Sequence, residues 1–390
     1  MPKRMNVLYL VRTWAIGGSH TIIFLLLRHL PKDRFNIICV PFDTPSQSDE
    51  AFVRALKLRD LPVADDRVPW RSRLGWRKAR NAISALIEKY DIDLLHTHDP
   101  QSNVLVGLGR HRWPCAVVAS PYGWWARMFP LRSHVYNWIE RSWALPGVDQ
   151  IITVSQDMKQ KILRGPTQED RVNVVYTGLD PAEMQGGAPR AEIRAALGIP
   201  DDACVVGTVS RLYVEKGHTF LLDSLSHLAD SVPHLHVLIV GEGPLRPALE
   251  RQAQNAGLDG RVHFTGFYDD LPGALRAMDV FAQPSVLDEG FPTAVLEAQL
   301  AGLPVIASDV GGTGETMQPG KTGLLVPPRN VEALAEAVRT LAEDPDRRMA
   351  MSTAGPEWIQ RSFTLENMIR QVTGVYEKAV TAYRARSGPS

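Results

Sequence analysis

Residues 280–315 read VFAQPSVLDEGFPTAVLEAQLAGLPVIASDVGGTGE. The opening run, 280–283, is short, apolar and of strand length. A loop containing Gly290 follows. Pro292 suits a first helical position, where its missing N–H costs nothing. The predicted helix carries Glu297 in its early turns. A second apolar run, 304–307, leads into a glycine-rich loop and a further helix start. Strand, helix and strand in sequence form a βαβ unit, and such units build parallel sheets.

The same alternation extends in both directions. In the first half, strand-like runs fall at 6–11, 35–41, 94–96, 116–120 and 150–154. In the second half they fall at 204–209, 236–240, 262–264, 280–283 and 304–307. Helical patterns separate them, at 21–30, 76–90, 218–228, 244–256 and 331–341. Two such series predict two doubly wound α/β domains. The chain of 390 residues is also too long for one ordinary core, since a domain holds about 100–200 residues. Residues 178–200 concentrate Gly178, Pro181, Gly186, Gly187, Pro189 and Pro200, a breaker density that suits a linker. The expected division is 1–180, 181–365, and a last helical segment over 366–390 that returns to the first domain. Ligands of open α/β sheets bind beyond the carboxyl ends of the strands, so two such domains are expected to face a central cleft.

Composition is that of an ordinary globular protein, 44% apolar and 22% charged. Cys39, Cys115 and Cys204 are far apart and form no metal-type pair, which fits a reduced, cytoplasmic setting. The first residues hold a strand-length apolar run rather than a secretory signal, and no window approaches a membrane span. The formal net charge is zero but unevenly spread. Residues 1–180 hold 25 Lys+Arg against 17 Asp+Glu, and the remainder 18 against 26. Eight of the nine tryptophans precede residue 180, leaving only Trp358 after it.

Three stretches of the second half carry chemistry. In 209–218, VSRLYVEKGH, a buried-type strand delivers Arg211 and Lys216 just before a helix. A diphosphate needs such fixed cations. Arg grips phosphate oxygens with two donors, and Lys acts as a point charge. Ordinary surface charges on a βα loop are the alternative reading. In 284–298, Gly290 permits close approach of a ligand to the backbone. Amides around residues 291–295 suit an anion at a helix start. Glu297 is placed to accept hydrogen bonds from ribose hydroxyls, and Glu289, eight positions earlier, to reach a sugar. The third stretch, 301–315, offers loop amides for phosphate.

These motifs, in this order and spacing, resemble the retaining GT-B glycosyltransferases of family four, the glycosyl transferases group 1. The resemblance spans nearly the whole chain. Residues 6–30 are similar to that family's opening strand, Gly-Gly loop and helix. Residues 151–163 are similar to its last N-domain strand and helix, and 172–180 to its hinge, with Thr177 where Asn is usual. The resemblance implies a metal-independent hexosyltransferase without cofactor, whose nucleotide-diphosphate sugar is a substrate. It further implies retention of configuration, a saccharide or lipid-linked acceptor, and a place in glycan or cell-surface polysaccharide biosynthesis. Arg211 and Lys216 would hold the diphosphate, Glu297 the ribose and Glu289 the sugar. Gly290, Phe291, Pro292 and Thr293 would supply amides, while Gly17, Gly18 and Gly241 would let loops approach the nucleotide. Phe267 and Leu271 are expected near the base. Tyr122 stands where relatives carry a His before Gly, and His98 is the nearest polar alternative. Because His96 and His98 sit on one strand, only one is expected to face the ligand side.

Asp91-Ile92-Asp93 has the look of a metal-binding DxD but precedes a strand far from the donor motifs, and no metal is expected. In such enzymes the first domain takes the acceptor. Here it interleaves arginines with tryptophans, around Trp70 and Trp76 and again over residues 110–143. That pattern suits an anionic membrane surface, with the protein peripheral at the inner face, or an anionic acceptor. Solvated helix faces with core tryptophans are the plainer alternative. A pI near 7.2 argues against nucleic acid. Competing functions are a nucleotide-sugar epimerase or hydrolase, and a non-catalytic subunit that binds sugar nucleotides.

Overall fold

The computed structural model describes residues 3–12, 18–43, 47–69, 75–123 and 130–387. The chain divides into two compact units. One runs to Thr177 and regains the chain from Leu365; the other is Gly178–Thr364.

The first unit holds a seven-stranded sheet of β1 (Met5–Val11), β2 (Phe35–Asp43), β3 (Val68–Pro69), β4 (Leu94–Thr97), β5 (Ala116–Ala119), β6 (Gln150–Thr153) and β7 (Val172–Val174). Their order is β3-β2-β1-β4-β5-β6-β7, and every pairing is parallel. The second unit holds β8 (Cys204–Val209), β9 (Leu235–Val240), β10 (Val262–Gly266), β11 (Val280–Gln283), β12 (Val305–Ser308) and β13 (Gly323–Val326). Their order is β10-β9-β8-β11-β12-β13, again all parallel. Both orders reverse direction once, between β1 and β4 and between β8 and β11. Such reversals open a crevice at the carboxyl ends of the two central strands.

Why these runs make parallel strands is visible in β9. Leu235, Val237 and Ile239 enter one apolar cluster, while Leu238 and Val240 enter another on the opposite face. A strand covered on both faces reads as a continuous apolar run rather than an alternation. In the first unit the helix Leu365–Ser387 packs along the sheet and contacts β4, β5 and β6. Its Tyr376 is fully buried, and its ring meets Phe35 edge-on at 5.7 Å.

The structure adds elements to the sequence reading. Strands β3, β7 and β13 are short edge or near-edge strands, and β7 lies in the segment read as a hinge. The expected linker contains a helix, Arg190–Leu197, ended by Gly198 at φ 67°. The glycine-rich loop after β12 leads into a short 3-10 turn, Thr313–Thr316, rather than a full helix. Among the described residues, no helix is long and apolar enough to cross a membrane.

Candidate active site

Two loops meet at the reversal point of the second sheet. The β8 loop carries Arg211 and Lys216, and the β11 loop carries Glu289. Gly217 adopts φ 69°, and a Cβ there would lie 1.9 Å from the Pro284 carbonyl oxygen. Only glycine lets these loops touch so closely. The Val286 N–H donates to the Glu215 carbonyl at 2.9 Å and fixes the contact. From β9, Gly241 comes equally close, since its Cβ would fall 2.0 Å from the Ser210 carbonyl oxygen.

Lys216 and Glu289 form an ion pair, Nζ to Oε1 at 2.6 Å, with side chains only 16% and 12% exposed. The same oxygen accepts from Ser285 Oγ at 2.6 Å and from Gln283 Nε2 at 3.4 Å. Gln283 in turn donates to Ser285 Oγ at 2.9 Å. Sequence reasoning gave Lys216 and Glu289 separate tasks; the fold binds them into one unit. It also missed Ser285 and Gln283, although polar side chains at the end of a buried strand were a usable signal. Arg211 differs. Its guanidinium lies over the Tyr213 ring at 5.1 Å, and no carboxylate among the described residues pairs with it. At the start of the next helix, His218 Nε2 meets Ser210 Oγ at 2.9 Å. Burial foremost, then the Lys216 charge, lowers the His218 pKa to about 4, so the imidazole is neutral.

The helix Thr293–Leu300 begins one residue later than expected, leaving Pro292 as its N-cap. Thr293 and Phe291 are buried, and the Phe291 ring meets Phe363 at 5.5 Å. Gly290 lies in the loop ahead of them. Glu297 sits in the second helical turn, partly buried. Burial, reinforced by the charge of Glu183, raises its carboxyl from an ordinary 4.5 to about 7. Phe267 follows β10 and is 77% exposed. Leu271, expected near the base, opens the helix Leu271–Arg276 and packs partly buried on the core of this unit.

In the first unit, His98 follows β4 at the other reversal point. Gly18 opens the helix Gly18–His29 after β1, and Gly17 lies outside the described residues. The expectation that only one of His96 and His98 faces the ligand side fails. Residues two apart on a strand project from the same face, and the two rings are 3.9 Å apart. They differ in their partners. His96 is saturated, Nδ1 to Tyr376 Oη at 2.7 Å and Nε2 to Ser120 Oγ at 2.8 Å. His98 Nδ1 meets Tyr122 Oη at 2.8 Å, while its buried Nε2 has no partner among the described residues. Burial, with His20 nearby, lowers the His98 pKa to about 3, so it is a neutral hydrogen-bonding group. The DxD-like pair serves the fold. Asp93 accepts the Asn6 N–H at 2.9 Å, and Asp91 pairs with Lys3 at 2.7 Å.

Known proteins match in both halves. The model of the family described as Glycosyltransferase Family 4 matches residues 16–183, and that of Glycosyl transferases group 1 matches 189–358. A 2-deoxystreptamine glucosyltransferase of Streptomyces kanamyceticus is 33% identical over 247 residues, 62% of this chain and 63% of that one. A GDP-mannose-dependent alpha-(1-6)-phosphatidylinositol monomannoside mannosyltransferase of Mycobacterium tuberculosis is 40% identical over 180 residues, 44% of this chain and 46% of that one. This chain thus spans roughly half to two-thirds of the length of these curated relatives. The crystal structure of Anabaena HepE with UDP and glucose superposes with a TM-score of 0.83, at 22% identity over 96% of this chain and 100% of that one, a likeness of fold. With two Rossmann-like domains of the GT-B kind and both halves matched, the chain belongs to the family-four glycosyltransferases.

Proposed function

We propose that the protein transfers a hexose from a nucleotide-diphosphate sugar to a saccharide or lipid-linked acceptor, with retention and without a metal ion. The carrying observation is the Lys216–Glu289 pair at the reversal point of the second sheet, with Arg211 on the same loop as Lys216 and without a carboxylate partner among the described residues. Two relatives support the substrate classes: a 2-deoxystreptamine glucosyltransferase, and a GDP-mannose-dependent mannosyltransferase of a phosphatidylinositol monomannoside. The UDP and glucose bound by HepE support the same donor chemistry.

In this reading Arg211 and Lys216 hold the diphosphate, and loop amides over residues 290–293 complete its cradle. Glu297 takes the ribose hydroxyls, Phe267 stacks on the base, and Glu289 takes the donor sugar while orienting Lys216. The bond from the anomeric carbon to the diphosphate oxygen breaks through an oxocarbenium-like state. The acceptor oxygen bonds to that carbon from the same face, and its proton passes to the departing diphosphate. The fixed cations favour the charge that develops on the leaving group. His98 and Tyr122, bonded to each other at the reversal point of the first sheet, stand as neutral hydrogen-bonding groups where relatives carry the usual His. The basic, Trp-bearing face of that unit suits attachment to the inner surface of an anionic membrane.

A thermal-shift screen of UDP-, GDP-, ADP- and dTDP-sugars tests the reading, because a ligand of the folded state raises apparent stability. One donor is expected to shift the midpoint and then release its diphosphate only when an acceptor and no divalent ion are supplied. Conversion of the donor alone, or a strict need for a divalent ion, overturns it.

A further inference from the structure

A second concave site lies at the opposite end of the first sheet. Residues 110–114 precede β5, and Asp149 precedes β6, so this region faces the amino ends of the strands. His98, Ser120 and Tyr122 lie at the carboxyl ends. The cavity measures about 390 Å³ and is lined by Arg110, His111, Arg112, Trp113, Tyr383 and Arg386, among others. That is within the size range of small-molecule sites, about 300–1,000 Å³.

Its charge is unbalanced. Asp149 is 2% exposed. Its Oδ2 accepts from Arg110 Nη2 at 2.7 Å and from the Val117 N–H at 2.8 Å. Its Oδ1 accepts from Arg386 Nη2 at 2.5 Å. One carboxylate therefore faces two guanidiniums, and Arg112 has no acidic partner among the described residues. The geometry is also fixed. Arg110 Nη1 donates to the Trp113 carbonyl at 2.9 Å, and its guanidinium lies over the Tyr383 ring at 5.2 Å. Trp113 is buried, with its indole N–H on the Val106 carbonyl at 2.9 Å. Arg110 is thus fixed against Asp149, the second guanidinium on that carboxylate leaves positive charge in excess, and Arg112 and the half-exposed Arg386 keep donors for a ligand.

We infer that this cavity binds a phosphate-bearing anion, separately from the sugar-transfer site. Planar guanidiniums in excess over carboxylate match the oxygens of a phosphate ester. That ester is either a free metabolite or the headgroup of an anionic lipid. The C-terminal helix supplies Arg386 and Tyr383, so occupancy would also fasten the end of that helix to the first sheet.

The test uses the full chain with glycerol phosphate and with vesicles of phosphatidylglycerol or phosphatidylcholine. The variants are Arg112→Glu, Arg386→Gln and, as a donor-site control, Arg211→Ala. Calorimetry is expected to show glycerol phosphate binding that Arg112→Glu and Arg386→Gln weaken at least tenfold and Arg211→Ala leaves unchanged. Binding of the soluble ester assigns the site to a free phosphate. Retention on phosphatidylglycerol alone, weakened by the same two variants, assigns it to a headgroup. The exposed Arg112 side chain has no hydrogen bond or ion pair among the described residues, so an unchanged unfolding midpoint in Arg112→Glu secures the comparison. If both probes bind Arg112→Glu and Arg386→Gln as they bind the parent protein, the inference fails.

Discussion

Lys216 and Arg211 were legible from spacing, but the structure separates them by partner. Lys216 neutralises a nearly buried Glu289, and Arg211 has no carboxylate partner among the described residues. Removing either cation is expected to cut turnover by about 10²–10³, the size of losing one electrostatic donor. Only Lys216→Ala should also lower the unfolding midpoint, since it strands a buried carboxylate at a cost of about 1–3 kcal/mol. Turnover and thermal melts of both variants decide this, and near-parental turnover in either removes the diphosphate role. Glu297 yields a pH prediction. Its folded pKa of about 7 lies above the ordinary 4.5, so the stability linked to its proton is present below about 4.5 and lost as pH rises through 7. The full effect corresponds to about 3 kcal/mol. Glu297→Gln should therefore melt like the parent at pH 4 and be the more stable protein at pH 8. If the carboxylate takes the ribose hydroxyls, donor affinity should rise about tenfold from pH 6 to pH 8, following the ionised fraction. Calorimetry at both pH values reads this, and a flat profile matching that of Glu297→Gln would sink the ribose assignment. None of this was readable in the sequence, because burial and the proximity of Glu183 are products of the fold.

At the scale of elements, the central strands were legible because burial on both faces makes them continuous apolar runs. The edges were not. Val172–Val174 carries Asn173, and Val68–Pro69 is two residues long. The helix Arg190–Leu197 was hidden by the Gly and Pro residues on either side of it. It is secured by Arg194, fully buried, whose guanidinium donates to the Ala277 carbonyl at 3.0 Å and to Asp279 at 2.8 Å. That contact spans more than eighty residues of sequence and has no local signal. The helix Leu365–Ser387 was visible as a helix, but its anchor was not. Tyr376 Oη lies 2.5 Å from Tyr9 Oη and 2.7 Å from His96 Nδ1, all buried. Tyr376→Phe leaves both groups without that partner and should cost about 2 kcal/mol, since each buried polar group left unpaired costs about 1–3. Tyr9→Phe should cost less, because Tyr376 keeps its bond to His96. Denaturant unfolding of the two variants checks the order, and equal midpoints would show that the hydroxyl bridge does not hold the helix.

Across the whole molecule, neutrality conceals a division that the fold sharpens. Placing the C-terminal helix in the first unit gives that unit 29 Lys+Arg against 18 Asp+Glu, and the second 14 against 25. Charge separation on this scale suits an anionic surface on one unit and repels it from the other. Aromatic residues sort in the same direction. Trp113, one of the tryptophans read as a surface candidate, is core. Trp138 and Trp143 are 50% and 62% exposed, with ring centroids 6.2 Å apart on adjoining helical turns. Tryptophan at a lipid interface keeps its ring among acyl chains and its N–H in the headgroups. Trp70, Trp124 and Trp125 lie outside the described residues. The full chain should sediment with phosphatidylglycerol vesicles at low ionic strength and release as salt rises and the screening length falls from about 30 Å at 0.01 M to about 8 Å at 0.15 M. Trp138→Ala with Trp143→Ala should weaken binding at every salt concentration without changing its salt dependence, because insertion and attraction are separate contributions. Full retention of the chain in the supernatant at low salt would leave the tryptophan pair exposed for some other purpose. It would also return the first unit's excess charge to recognition of an anionic acceptor.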